Sequence, residues 1–382
     1  MIISFGVKNF FCFEEGAEVS FKIPQTEANP RGIATSICIK GANASGKTNL
    51  VKALAFMRYF ICDSFSAKPE SEIPFYPHFD NSSPSEFYLE FTCDGKRYLY
   101  ELTLNKQKVL SEKLYRIVRR KILLFERTAN DIAECVEEFS DLKKINFRNN
   151  CSAISTAHQF EFAPLEAVYF AIQKIYPNVN IFGYQELALE VNDLARLVAK
   201  DEKFREFATR VLKDSDTGIH EIKVKKIKTP DEKELYLPLF VYKKAGKEHA
   251  LNYHLQSRGI KTLFNQAFHY YNALKDGGLL IVDEIDVGLH PDIVEALVGL
   301  FDSHEFNKLN AQLIFTTHSE NIMDRVGKYR TIMVEKRDNA SFVYRLDELP
   351  GALIRNDRAI LPLYRAKKIG GVPRLGKTFQ SQ

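Results

Sequence analysis

The eight residues Gly41-Ala42-Asn43-Ala44-Ser45-Gly46-Lys47-Thr48 constrain this chain more than any others, because they follow the spacing GxxxxGK[ST] in the context that spacing requires. Before them, Ser36-Ile37-Cys38-Ile39-Lys40 reads as a short buried strand. After them, Asn49-Leu50-Val51-Lys52-Ala53-Leu54 opens an amphipathic helix. Strand, glycine loop and helix together aim backbone N–H groups and a helix N-terminus at a triphosphate. Gly41 and Gly46 let the backbone curl against the phosphates. Lys47 supplies a point charge to the outer phosphates, and the Thr48 hydroxyl is suited to Mg²⁺.

A second motif completes the first. Gly278-Leu279-Leu280-Ile281-Val282 is an apolar strand that ends on Asp283-Glu284. Asp283 is placed to share the Mg²⁺ shell with Thr48, and Glu284 stands where a base could polarise an attacking water. Nucleotide hydrolysis needs both functions. A further apolar run, Gln312 to Thr317, delivers His318 at its end.

Bulk properties narrow the setting. A hydrophobic fraction of 45% and a charged fraction of 27% are ordinary for a globular protein, and a net charge of +4 is only mildly basic. The six cysteines form no CxxC pair, which fits free thiols in a reducing compartment better than a disulfide framework or a zinc site. No apolar run approaches the roughly 18 residues that read as a membrane helix, and the amino end lacks the pattern of a secretory signal. The expectation is a cytoplasmic protein with no membrane contact.

Along the chain, Ile2–Phe13 and Ala17–Ile23 read as strands. Two further strands around Asp94-Gly95 form a hairpin. Helical periodicity takes over after about residue 129, with Leu187, Val191, Leu194 and Val198 on one face. Strands return over Ile219–Tyr242, broken at Thr229-Pro230-Asp231, and a helix opens at Ser257. The implied division is an N-terminal lobe over 1–128, a helical insert over 129–215, a C-terminal lobe over 216–350 and a basic extension over 351–382. The fold class is α/β.

These motifs, in this order, resemble the ABC-type ATPase heads of the SMC and RecF kind. KNFFCFEE is similar to their first strand, and GANASGKTNLVKAL to their phosphate loop and helix. Gln256-Ser257-Arg258-Gly259-Ile260-Lys261 resembles their signature motif, Ile285 to Pro291 lies at their D-loop, and His318 at their switch histidine. More narrowly, LLIVDEIDVGLHPDIVEALVGLF, LIFTTHSENIMD and RNDRAILPLYRAKKIGGVP resemble bacterial ATPases of anti-phage and abortive-infection systems. That group includes OLD-like ATPases, the Septu ATPase, RloC-like heads and the AbiL ATPase.

The resemblance implies ATP and Mg²⁺ as ligands, with Gly41–Thr48 on the nucleotide, Thr48 and Asp283 on the metal, and Lys47, Glu284 and His318 in catalysis. It places Ser257 and Gly259 on the nucleotide of a second copy, in a homodimer or higher even assembly closed by an ATP sandwich. It further implies a nucleotide-gated sensor or regulator of defence, acting on a separately encoded effector such as a nuclease. A RecF-like repair ATPase and a slowly hydrolysing, ATP-locked scaffold are the alternatives. Three departures stand out: Pro77–Ser85 holds no Q-loop glutamine, His290 replaces an acidic D-loop residue, and the signature is degenerate.

Candidates outside the ATP motifs are fewer. Asp214-Ser215-Asp216 follows a helical pattern and reads as an acidic turn, not as part of a nuclease centre. Arg116, Arg119, Arg120 and Lys121 form one basic strip, and Lys223, Lys225, Lys226 and Lys228 another. The tail carries Arg355, Arg358, Arg365, Lys367, Lys368, Arg374 and Lys377 against Asp357, a charge balance suited to the phosphates of DNA or RNA.

Overall fold

A computed structural model describes residues 1–27, 29–185, 189–228, 232–351, 354 and 359–373. The chain opens with β1 (Ile2–Lys8), β2 (Ala17–Ser20), β3 (Ser36–Lys40) and α1 (Lys47–Asp63). An antiparallel run follows: β4 (Ser85–Cys93), β5 (Lys96–Leu104), β6 (Val109–Ile117), β7 (Lys121–Thr128) and β8 (Asp131–Cys135). Helices α2 (Ala153–Gln159) and α3 (Ala163–Gln173) lead to β9 (Ile175–Pro177) and a small hairpin, β10 (Val179–Asn180) and β11 (Gly183–Tyr184). Then come α4 (Val191–Lys200), α5 (Glu202–Asp214), β12 (Ile219–Lys228), β13 (Glu234–Lys244) and β14 (Lys247–Asn252). The described chain closes with α6 (Arg258–Asp276), β15 (Leu279–Val282), α7 (Pro291–Asp302), β16 (Gln312–Thr316), α8 (Ile322–Val326), β17 (Thr331–Arg337), β18 (Ala340–Arg345) and α9 (Leu361–Arg365).

Two sheets organise the molecule. The six-stranded sheet has the order β18-β17-β3-β16-β15-β9, parallel throughout except for β18. Its central strands are apolar on both faces because both faces are covered. Ile37 and Ile39, Leu279 and Ile281, and Ile314 pack into the core that includes α1. Cys38, Leu280 and Val282, and Leu313 and Phe315 pack into the core formed with α5, α6 and α7. The strand period of two thus splits one apolar run between two cores. The seven-stranded antiparallel sheet, β2-β1-β4-β5-β6-β7-β8, packs its inner face on α1 through Phe10, Phe56 and Phe87. A three-stranded sheet, β12-β13-β14, has its own strand pairing and joins the core of α5, α6 and α7 through Ile222 and Phe240.

The structure corrects several sequence expectations. The first strand stops at Lys8 and does not reach Phe13. Phe10 and Phe13 are both fully buried three positions apart, which strict alternation forbids, so the chain folds into a tight loop with Asn9 and Phe11 at positive φ. Residues 129–215 do not form one helical insert. Phe139, Ile154 and Leu165 join the core around α1, Ile175 lies on the edge strand of the six-stranded sheet, and Leu194 and Phe204 pack with α6. The apolar face of each helix is too small to make a separate core, so each helix packs on the nearest lobe. Asp94-Gly95 does form the hairpin turn, with both residues at positive φ. Leu187 and the break at Thr229-Pro230-Asp231 lie outside the described residues.

Candidate functional site

The site lies where the parallel strands of the six-stranded sheet end. β3 runs directly into Gly41, whose missing side chain matters: a Cβ there would strike the Val334 carbonyl on β17. Gly46, at φ 114°, starts α1, and a Cβ would come within 2.7 Å of Cys12 Sγ. The loop is therefore held by β17 on one side and by the Asn9–Phe13 loop on the other. Ser341 Oγ donates to the Ser45 carbonyl at 2.7 Å, and Asn49 Nδ2 lies 3.2 Å from Cys12 Sγ. Lys47 folds back over the loop and donates to the carbonyls of Gly41 and Ala42, both at 3.0 Å. Burial, and next the neighbouring Lys40, lower its pKa from the ordinary lysine value.

The two sequence motifs meet in one hydrogen bond. Thr48 Oγ1, in the first turn of α1, donates to Asp283 Oδ2 at 2.8 Å across 235 residues of chain. Thr316 Oγ1, at the end of β16, donates to Asp283 Oδ1 at 2.6 Å. The same Thr316 hydroxyl accepts the Glu284 N–H at 2.7 Å, and Glu284 holds a left-handed backbone, φ 54°. Left-handed geometry is costly for a residue with a side chain and persists where surrounding contacts impose it. Asp283 is buried, whereas Glu284 and His318 are exposed. The Asp286 carboxylate accepts the His318 N–H, with both oxygens at 3.2 Å. One hydroxyl and one carboxylate at hydrogen-bond distance, beside an ammonium and a helix N-terminus, form a donor set that fits Mg²⁺ and a polyphosphate.

Ser257 and Gly259 do not join this network. Ser257 caps α6, its Oγ accepting the Ile260 N–H at 3.4 Å. A Cβ on Gly259 would lie 3.4 Å from the Gly288 carbonyl in the segment after Glu284. His290 caps α7 by accepting the Asp292 N–H at 3.3 Å, with Pro291 at the first helical position, so its role here is local.

Two residues were missed by sequence reasoning. The edge strand beside β15 is β9, so the chain entering the site on that side is Asn178 and not Pro77–Ser85. Asn178 accepts the Asp283 N–H at 2.6 Å and donates to the Asp283 carbonyl at 3.0 Å. A three-residue strand between helical stretches gives little periodic signal. The other is Lys40, a charged residue ending an apolar strand, which contacts the backbone on both sides of His318.

The remaining candidates are dispersed. Asp214 ends α5 and pairs with Arg210, and Asp216 sits in a turn at φ 53°. Lys223 pairs with Glu221 and Glu248, and Lys226 with Glu234, which offsets the charge of that strip. Lys121 pairs with Glu101, and β6 ends before Arg119 and Arg120. Arg365 pairs with Glu320. Arg355, Asp357, Arg358, Arg374 and Lys377 lie outside the described residues. All six cysteines are free, and burial pushes the Cys38 and Cys62 thiols up to about 12. Among the described residues no helix is long and apolar enough to cross a membrane.

Comparison with known families matches most of the chain to one group. The profile described as "AAA domain, putative AbiEii toxin, Type IV TA system" matches residues 36–324, from β3 past His318. The chain belongs to this AAA-domain family. No curated protein matches it. Among solved structures, an SMC head bound to the C-winged helix domain of ScpA aligns with a TM-score of 0.52 at 14% identity, covering 90% of this chain and 98% of that one. The SMC head domain from Thermotoga maritima aligns with a TM-score of 0.42 at 14% identity, over 90% and 98% of the two chains. An SMC head with an extended coiled coil, from Pyrococcus furiosus and bound to the C-terminal domain of ScpA, gives 0.48 at 13%, over 90% and 96%. The alignment at a TM-score of 0.52 gives this member of the AAA-domain family the α/β fold of an ABC-type ATPase head. Its N-terminal lobe is rich in β-structure, and its C-terminal lobe carries the Asp283-Glu284 strand.

Proposed function

We propose that this chain binds and hydrolyses ATP and works as a nucleotide-gated regulator in bacterial anti-phage defence. The observation that carries the ATPase reading is the Thr48–Asp283 hydrogen bond, which joins the phosphate loop to the acidic strand end beside Lys47. In this reading Lys47 exchanges its two loop carbonyls for the outer phosphates. Thr48 and Asp283 would hold Mg²⁺, which neutralises charge developing on the phosphate oxygens. Glu284, exposed beside buried Asp283, orients a water and accepts its proton. His318 donates to the γ-phosphate.

Ser257 caps α6 and Gly259 lies against the Gly288 carbonyl, contacts outside their own phosphate loop that fit a role on the nucleotide of a second copy. Two copies then close on two ATP molecules, each completing the other's site. Closure offers two states, and a partner that prefers one of them is switched by the nucleotide. The regulated partner is a separate cytoplasmic effector, which leaves the acidic turn at Asp214 and Asp216 without a catalytic part. The defence role rests on the family to which the chain belongs.

One feature favours slower turnover, as in an ATP-locked scaffold. Asn178 spends both ends of its amide on the Asp283 main chain. That leaves it poorly placed to act on water. The test of nucleotide binding is Lys47→Ala, measured by isothermal titration with a slowly hydrolysed ATP analogue. Affinity should fall at least a hundredfold while the melting temperature holds. Near-normal affinity in the folded variant would refute the assignment.

A further inference from the structure

Lys40 is the last residue of β3 and immediately precedes Gly41, yet it is 1% exposed. Its strand neighbours are apolar or small, so an ammonium here needs an explanation. Removing a lysine charge from water is costly unless polar groups replace the lost hydration. Lys40 has no carboxylate in ion-pair contact among the described residues. Its Nζ instead donates to the carbonyls of Thr317 at 3.2 Å and Ser319 at 3.0 Å, and lies 5.5 Å from the centre of the Tyr364 ring. Asp286 and Glu320 add a favourable field, although burial still lowers the Lys40 pKa.

The two carbonyls belong to the residues on either side of His318. A third hold comes from Asp286, which accepts the His318 N–H, and a fourth from Thr317 Oγ1, which accepts the Ser319 N–H at 2.9 Å. The His318 backbone is thus pinned from both sides while its ring stays exposed. Lys40 also adjoins the loop that Lys47 closes through the Gly41 carbonyl.

We propose that Lys40 is a positioning residue: by clamping the Thr317 and Ser319 carbonyls, it fixes His318 relative to the phosphate loop for ATP hydrolysis. The inference rests on the ATPase reading above. It differs from a packing role in what it predicts, because a clamp acting through His318 affects turnover more than binding. A lysine needed only to seat Tyr364 and the segment around α9 would affect stability and leave turnover alone.

The experiment compares the full chain with Lys40→Met, Lys40→Gln, His318→Ala, Lys47→Ala and the Lys40→Met/His318→Ala double variant. Steady-state ATPase rates and analogue titrations are read for each. Lys40→Met should bind the analogue within about threefold of wild type, keep KM within about threefold, and lose at least tenfold in kcat. In the double variant the losses should not multiply, since both act through one histidine. Lys40→Gln keeps a shorter, uncharged NH2 donor and serves if the Met variant does not fold; at least a fivefold loss in kcat is expected. Wild-type kcat in a folded Lys40 variant, or losses that multiply with His318→Ala, would overturn the proposal. Normal analogue binding by Lys47→Ala, or no turnover by wild type, would overturn the ATPase reading itself and this inference with it.

Discussion

Two clusters of buried charge among the described residues differ in a way that separates structure from chemistry. In the N-terminal lobe, Glu112 on β6 faces Arg127 on β7 across the strand pair, and both side chains are fully buried. Glu112 also accepts from Tyr100 at 2.9 Å, Ser152 at 2.7 Å and the Ala153 N–H at 2.8 Å. Arg127 donates to the carbonyls of Ala129, Arg148 and Cys151. The partners are complete and the charges cancel, so this cluster ties the antiparallel sheet to α2 and leaves nothing to bind a ligand. At the ends of β3, β15 and β16 the balance differs. Lys47 rests on two neutral carbonyls, Asp283 on two hydroxyls, and Glu284 and His318 face solvent. Groups held only by neutral partners beside an open face are free to exchange them for a phosphate and a cation.

Breaking the closed cluster should have the largest effect on the fold. Glu112→Ala leaves Arg127 buried without its counter-charge, at a cost of about 3–5 kcal/mol. Chemical denaturation should show it, and a change below about 1 kcal/mol would mean the cluster is not the structural hub described. The open site should respond the other way, in activity and not in stability. Ser257→Arg should cut ATP turnover at least tenfold while analogue affinity stays within about threefold. Mixing it with Lys47→Ala subunits should restore at most one working site per pair. Loss of affinity matching Lys47→Ala would place Ser257 in its own subunit's pocket.

The smallest effect belongs to acidic residues in neither cluster. Asp214→Ala/Asp216→Ala should change stability by only about 1 kcal/mol, because Asp214 is an exposed position and the main cost is an alanine at the positive φ of Asp216. Because the effector is proposed to be a separate protein, the wild-type chain should leave DNA and RNA intact with Mg²⁺ or Mn²⁺. Cleavage that survives Lys47→Ala and vanishes in this double variant would make the chain its own effector.

What the sequence made legible follows the same division. Gly41–Thr48 with its strand and helix is a contiguous signal, and Leu279–Val282 ending on Asp283-Glu284 is another. Both elements stand in the structure where their patterns put them. Lys40 and Asn178 were not legible, because each acts through main-chain groups far away in sequence. Lys40 was visible only as a charge ending an apolar run, and Asn178 follows a strand of three residues. The 129–215 region misled for a related reason: helical periodicity reveals an apolar face but not which lobe will cover it.

The central claim is that Asp283 and Glu284 divide metal binding and proton removal in an ATP site completed by a second copy. Glu284→Gln tests it most directly, since the change removes the base while leaving Thr48, Asp283 and Lys47 in place. Light scattering with ATP and Mg²⁺ should show the variant accumulating as a dimer or higher even assembly that retains unhydrolysed ATP, while wild type stays largely dissociated. A Glu284→Gln protein that turns over ATP at the wild-type rate, or stays monomeric with ATP bound, would contradict the account.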